Sequence, residues 1–318
     1  MGDSKRRPLA GRRSVLLGMA GLATAVLAGC ADSGTGSLPG VPEKDAATEQ
    51  LRPTGPATPP PSVSAKSSEQ AAAALAQPTM KPPAVPDKQK ILAEFAGRQP
   101  KEWGLHVTGV VNDSPAKQVA LTFDACGGPG GSGCDHELLQ TLRKLHVPAT
   151  LFVNSRWIQA NPGLSAELAA DPLFELANHG TSHLPLSVSG KSAYGITGTA
   201  TASAAYDELM GNQAIMQDTF GKSPRFFRPG TAFYDDVTAA MTRRLGMLPV
   251  NFTVNGDGGA TFPTATVATE VGRVGPGDIV ISHFNKPAGA TAEGYGRALP
   301  RLLDKGISFA RLGDVLKP

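Results

Sequence analysis

The chain has 318 residues and a formal net charge of +3, which allows one sizeable catalytic domain with accessory segments. The charge is unevenly placed: five basic residues and one acidic residue precede Cys30 and carry +4, leaving −1 for the rest. The basic excess therefore belongs to a leader. The body lacks the footprint of a nucleic-acid-binding protein, so no nucleic-acid partner is expected.

Residues 1–29 read as an export signal. Arg12-Arg13 opens an uncharged, apolar run from Ser14 to Gly29. A basic segment before a short apolar one is a signal peptide, and the run has no stop-transfer flank. The arginine pair resembles a twin-arginine signal. Leu27-Ala28-Gly29-Cys30 resembles a bacterial lipobox, which implies lipidation at Cys30 and a membrane contact through that anchor. Ordinary cleavage would release a secreted protein instead. Either route predicts export, with the outer face of the cytoplasmic membrane as the lipoprotein's place. Residues 30–86 are rich in Pro, Ala and Ser with few large apolar residues, a composition expected to form a disordered tether.

The folded domain is expected over 87–318. Asp87 to Gly97 reads as a short helix and Trp103 to Val111 as an extended lead-in. Strand patterns follow at 118–124, 149–154, 173–178, 224–228, 248–254, 278–283 and 307–311. Helical patterns fall at 136–146, 162–170, 201–220, 236–246, 264–273 and 295–305. Strands spaced by helices predict an α/β fold with a mostly parallel sheet, closed or partly closed as a barrel.

Chemistry gathers where strands end, as α/β folds arrange it. Val119 to Phe123 runs into Asp124, and Ile279 to Ser282 runs into His283. His179 and His183 follow the strand at 173–178. Their four-residue spacing turns two imidazoles toward one point and suits a divalent metal ion of the zinc class, with at least one further ligand and an open position for water. Asp257 is placed to orient His283, and Arg228 to keep Asp124 charged. A base and an acid beside a metal ion are the parts of a hydrolase.

Thr122-Phe123-Asp124, His179-x-x-x-His183, Phe227-Arg228-Pro229, Asp257 and Ile281-x-His283 occur in this order. Over residues 117–312 they resemble the five motifs of the polysaccharide deacetylases, carbohydrate esterase family 4, the chitin and peptidoglycan deacetylase group. The resemblance implies a distorted (β/α) barrel. It also implies a hydrolase acting on linear amides, removing acetyl groups from an N-acetylated envelope glycan, peptidoglycan or chitin-like. By position, Asp124 resembles the base and His283 the acid, with Arg228 and Asp257 as their partners. His179 and His183 resemble the metal ligands, and the Thr231 backbone N–H the oxyanion donor. The ion implied is divalent, zinc above others, and a monomer is expected.

The first motif departs from the family. A second acid usually follows the base as a metal ligand, and this chain has Ala125. Asp135 is the replacement considered, with helix N-capping as its other role and water as another third ligand. Cys126 and Cys134 flank the glycine-rich loop and are expected to form a disulfide that pins Asp135 near Asp124. Two free thiols, or Cys126 as a thiolate ligand, are the alternatives. Gly180, Gly230, Thr231 and Gly258 also depart from the family pattern, and Gly258, where a tryptophan often lines the pocket, implies a wider substrate slot. Loss of the motif acid leaves two other functions open: a non-catalytic glycan-binding lipoprotein on the same scaffold, or an O-acetyl esterase.

Overall fold

The computed structural model describes residues 87–317. The leader, Cys30 and the tether expected over 30–86 lie outside the described residues. In chain order the first elements are α1 (Lys88–Phe95), β1 (Trp103–Gly104), β2 (Val119–Ala125), α2 (His136–Lys144) and β3 (Ala149–Val153). Then come α3 (Ser155–Ala160), α4 (Pro162–Ala170), β4 (Phe174–Asn178), a hairpin of β5 (Ser192–Ala193) and β6 (Ile196–Thr197), and α5 (Ala202–Phe220). The remainder is β7 (Phe226–Phe227), β8 (Tyr234–Asp235), α6 (Asp236–Arg244), β9 (Leu248–Pro249), β10 (Val254–Asn255), α7 (Thr264–Gly272), β11 (Ile279–His283), α8 (Thr291–Asp304), β12 (Phe309–Ala310) and α9 (Leu312–Val315).

The main sheet runs β10-β11-β2-β3-β4-β7-β9, with β12 also pairing β2. Every pair in it is parallel. The end strands β10 and β9 do not pair with each other, so the expected barrel takes an open, curled form. Pro249 in β9 lacks an N–H to donate, which suits the sheet edge it occupies. Central β2 is buried along its whole length, as a parallel strand covered on both faces must be. One core layer packs β2 and β3 residues against Leu138, Leu142, Leu299 and Leu302 of α2 and α8.

The strand expected over 248–254 breaks into β9 and β10. The reason is chemical: the carbonyls of Val250 and Asn251 accept from the Arg228 guanidinium, at 3.3 and 3.0 Å. Helix α8 starts four residues before the expected 295, because Gly294 and Gly296 dilute its apolar pattern. Helix α3 and the β5–β6 hairpin were not expected from sequence patterns. No helix among the described residues is long and apolar enough to cross a membrane.

Register does the positioning. In the β11–β2 ladder, His283 lies beside Asp124. In the β3–β4 ladder, Val153 lies beside Asn178, the residue before His179. Three of the expected motifs thus reach the same end of the sheet.

Candidate active site

Side chains alternate across a strand, and in β2 that alternation sorts the first motif. Thr122 and Asp124 share one face, where both accept hydrogen bonds from Arg228 Nη1 at 2.8 Å. Ala125 turns the other way and is fully buried in the layer of core beneath the helices. Cys126, just past the strand, returns to the Asp124 side. Its sulfur lies 3.9 Å from His179 Nε2.

Arg228 is fully buried. All the nitrogens of its guanidinium are engaged, and the group also lies 4.2 Å from the centre of the Phe152 ring. Burial alone would raise the Asp124 pKa, but Arg228 first, then His179 and His283, hold it below the ordinary carboxylate value. Asp124 is therefore an ionised base in a nearly closed site.

The same arginine fixes a histidine. His179 Nδ1 lies 2.8 Å from the Arg228 carbonyl. A carbonyl only accepts, so Nδ1 carries the proton and Nε2 is left free as a donor to a cation. The loop from His179 to His183 is held by three side chains. Asn154 Nδ2 donates to the His179 and Gly180 carbonyls. Asn178 Oδ1 accepts from the Gly180 N–H and from Asn212. Glu208 of α5, itself buried, accepts from the backbone N–H groups of Ser182 and Leu184. At Gly180, φ is +79° and a Cβ would strike the Glu208 carboxylate. Glycine there is the consequence of a buried glutamate supporting the loop.

His283 is oriented by Asp257, which is fully buried. The carboxylate accepts from His283 Nδ1 at 2.9 Å and from the His283 backbone N–H at 2.6 Å. Thr291 and Gly259 donate to it as well. Burial disfavours the imidazolium, yet the Asp257 charge and hydrogen bond outweigh it and raise the His283 pKa well above the ordinary value. Nε2 is left as the free ring nitrogen of a protonated, pocket-lining imidazole.

Among the described residues, one group of side chains suits a metal ion: Cys126, His179 and His183, with donor atoms all within 4.8 Å of one another. Two neutral imidazoles and a thiolate suit zinc, and three protein donors leave a fourth position open, the pattern of a catalytic site. Burial would raise the Cys126 thiol, but hydrogen bonds to His179, His183 and His283 overcome it and hold it well below the usual thiol range.

One expectation is corrected. Cys126 and Cys134 form no disulfide; both are free thiols. Burial first, then the Asp135 and Glu167 charges, push Cys134 up to about 12, which makes it an inert core thiol. Asp135 is outside the donor group and serves as the N-cap of α2, its Oδ1 accepting from the Leu138 N–H at 3.0 Å. Thr231 lines the same pocket as Asp124 and His283. Its φ of +72° is unusual for a β-branched residue. Of three other residues placed after the acid motif, Asn285 and Lys286 bond the carbonyls of Gly131 and Gly130. The third, Tyr295, is buried with its hydroxyl 2.8 Å from Ser282 Oγ.

Sequence reasoning missed Glu208, Asn154 and Asn212. A signal existed for two of them: Glu208 and Asn212 fall on the buried stripe of α5 with Ala205, Leu209 and Met216, where helical periodicity calls for apolar residues.

Residues 111–250 match the family model described as polysaccharide deacetylase. Over that stretch the chain is similar to the polysaccharide deacetylases. It is similar to a chitooligosaccharide deacetylase from Bradyrhizobium sp., 26% identical over 55% of this chain and 74% of that protein. It is also similar to the peptidoglycan-N-acetylglucosamine deacetylase PgdA from Listeria monocytogenes, 23% identical over 74% of this chain and 48% of that one. The chain spans about half the length of several curated relatives it matches, 52% and 48% for two of them. A solved CE4 family pseudoenzyme from Bacillus anthracis shares the fold, with a TM-score of 0.55 at 20% identity over 67% of this chain and 70% of that one. Asp257 and His283 lie beyond the stretch of the deacetylase domain matched by the family model.

Two outcomes follow from this geometry. Arg228→Met leaves Asp124 buried without its counter-charge and should cost about 3–5 kcal/mol of stability in urea unfolding. Asp135→Ala should cost about 1 kcal/mol through the lost cap, with zinc affinity unchanged in a competition titration.

Proposed function

We propose that this protein is an exported, metal-dependent deacetylase of an N-acetylated envelope glycan of the peptidoglycan or chitin-like class. The observation that carries the reading is one pocket holding an ionised aspartate, a protonated histidine and a three-donor metal group. The leader and its Cys30 motif support export and a lipid anchor. Names of the relatives support the substrate class.

His179, His183 and Cys126 would hold the ion, the thiolate taking the place of the missing carboxylate. Both donors are singly negative, so the net charge of the ligand set is kept. A divalent ion held there supplies polarisation of the acetyl carbonyl and a lower pKa for water. Asp124, kept ionised by Arg228, takes the proton from the attacking water. The backbone N–H of Thr231 faces the charge that develops on the acetyl oxygen. His283 gives its Nε2 proton to the departing amine, and Asp257 holds the imidazolium in place while it does so. An O-acetyl ester would use the same residues with an alcohol leaving.

A second reading rests on Ala125 and on the likeness to a pseudoenzyme: a glycan-binding protein that does no chemistry. Zinc stoichiometry and acetate release separate the two. The deacetylase reading expects one zinc per chain, loss of that zinc in Cys126→Ala, and acetate release from an N-acetylglucosamine oligomer that falls at least about 100-fold in His283→Ala. Zinc bound without any acetate release from oligomer or peptidoglycan would favour the binding protein.

The acid also predicts a pH effect. His283 acts protonated, so activity disappears as pH rises through its elevated pKa. Asp257→Asn removes the charge that raises it. The alkaline limb of the pH–rate profile should therefore move to lower pH; an unmoved limb would remove His283 as the acid.

A further inference from the structure

The pocket of about 500 Å³ that contains the catalytic groups has a second, apolar side, and neither the five motifs nor the metal group accounts for it. Besides Phe252, two aromatic rings from outside the motifs line it. One is Tyr194, at the tip of the β5–β6 hairpin, where the antiparallel pairing is only two residues long. It is 75% exposed, the most exposed large apolar side chain among the described residues, and Ile196 from the same hairpin is next at 37%. The Tyr194 backbone sits at φ +51°, a conformation a non-glycine residue adopts at a cost. Its ring is not loose: it packs edge-on to Phe233 at 5.4 Å, and Phe233 packs on Trp103 at 5.5 Å.

The second ring is Phe262. A Cβ on Gly258 would strike this ring at three of its carbons. The wall position that Gly258 leaves open is therefore filled by an aromatic from four residues further along the chain. Thr231 lines the same pocket, and its Oγ1 is buried without a hydrogen-bond partner among the described residues.

An aromatic ring held exposed beside a reactive site, a second ring in the pocket wall and an unpartnered hydroxyl in the same pocket match the surface of a pyranose. The sugar ring has apolar C–H faces that stack on aromatic rings and hydroxyls at its rim that need donors and acceptors. We propose that Tyr194 and Phe262 form a pyranose-binding subsite for the sugar that carries or adjoins the acetyl group, with the β5–β6 hairpin as the element that sets glycan specificity. The inference takes its occupant from the deacetylase reading. Continuity of the rings with the pocket that holds Asp124 and His283 makes a glycan chain the occupant, since a chain presented for reaction there must pass over them.

The test uses the full chain, the tetramer of N-acetylglucosamine as probe, and the variants Tyr194→Ala and Tyr194→Phe. Titration calorimetry reads binding, and acetate release reads KM and kcat. Tyr194 is exposed, so its removal leaves folding intact, which a thermal melt checks. The subsite expects Tyr194→Ala to raise Kd and KM about tenfold with kcat nearly kept, and Tyr194→Phe to restore both, since stacking requires the ring and not the hydroxyl. Unchanged Kd and KM in Tyr194→Ala, with acetate still released, would overturn the subsite and leave the deacetylase standing. Tyr194-dependent binding without acetate release would uphold the subsite and overturn the deacetylase. A tetramer that neither binds nor reacts would overturn both.

Discussion

A single buried guanidinium ties the site together. Arg228 is sealed from solvent, and a cation in that position is tolerable only with an anion and acceptors around it. Asp124 supplies the charge, and the Val250 and Asn251 carbonyls supply the acceptors. The arginine's own backbone carbonyl sets the tautomer of His179, and its N–H pairs with Asn178, one residue earlier. The ionisation of Asp124 and the direction of the free His179 nitrogen therefore depend on one residue. The sheet yields to it as well: the chain between β9 and β10 leaves strand geometry where its carbonyls turn toward Arg228.

The departure at Ala125 has its physical explanation in strand geometry. A donor can reach the pocket from β2 only at every second residue, so Asp124 and Cys126 face it while Ala125 faces helices. A thiolate at Cys126 conserves the charge of a carboxylate ligand but is a softer donor, which narrows the preferred ions toward zinc. Placing a thiol among three histidines also keeps it ionisable, in contrast to Cys134, whose apolar surroundings leave it protonated. The two cysteines have opposite environments.

Much of this was legible from sequence. The strands ending in Asp124 and His283 announce themselves as apolar runs stopped by a titratable residue, and parallel pairing then forces those ends together. The four-residue spacing of His179 and His183 was equally readable, as were Asp257 and Arg228 as charged partners of His283 and Asp124. What sequence did not yield depends on packing. The flanking cysteines suggested a bridge because chain proximity was visible and side-chain direction was not. Asp135 was weighed as a ligand because it is acidic and nearby in sequence, yet its backbone begins a helix and one of its carboxylate oxygens, Oδ1, caps that helix. Glu208 acts across a long sequence separation, and Gly180 and Gly258 read as departures because sequence alone does not show the Glu208 and Phe262 side chains that occupy their space.

The most direct test of the central claim is the zinc X-ray absorption spectrum of the protein loaded with one equivalent of the metal. The account predicts one sulfur at about 2.3 Å and two imidazole nitrogens at about 2.0–2.1 Å in the zinc shell, with the sulfur signal gone in Cys126→Ser. A shell of nitrogen and oxygen alone in the unmodified protein would contradict it, and would return the third ligand to water or to an acid.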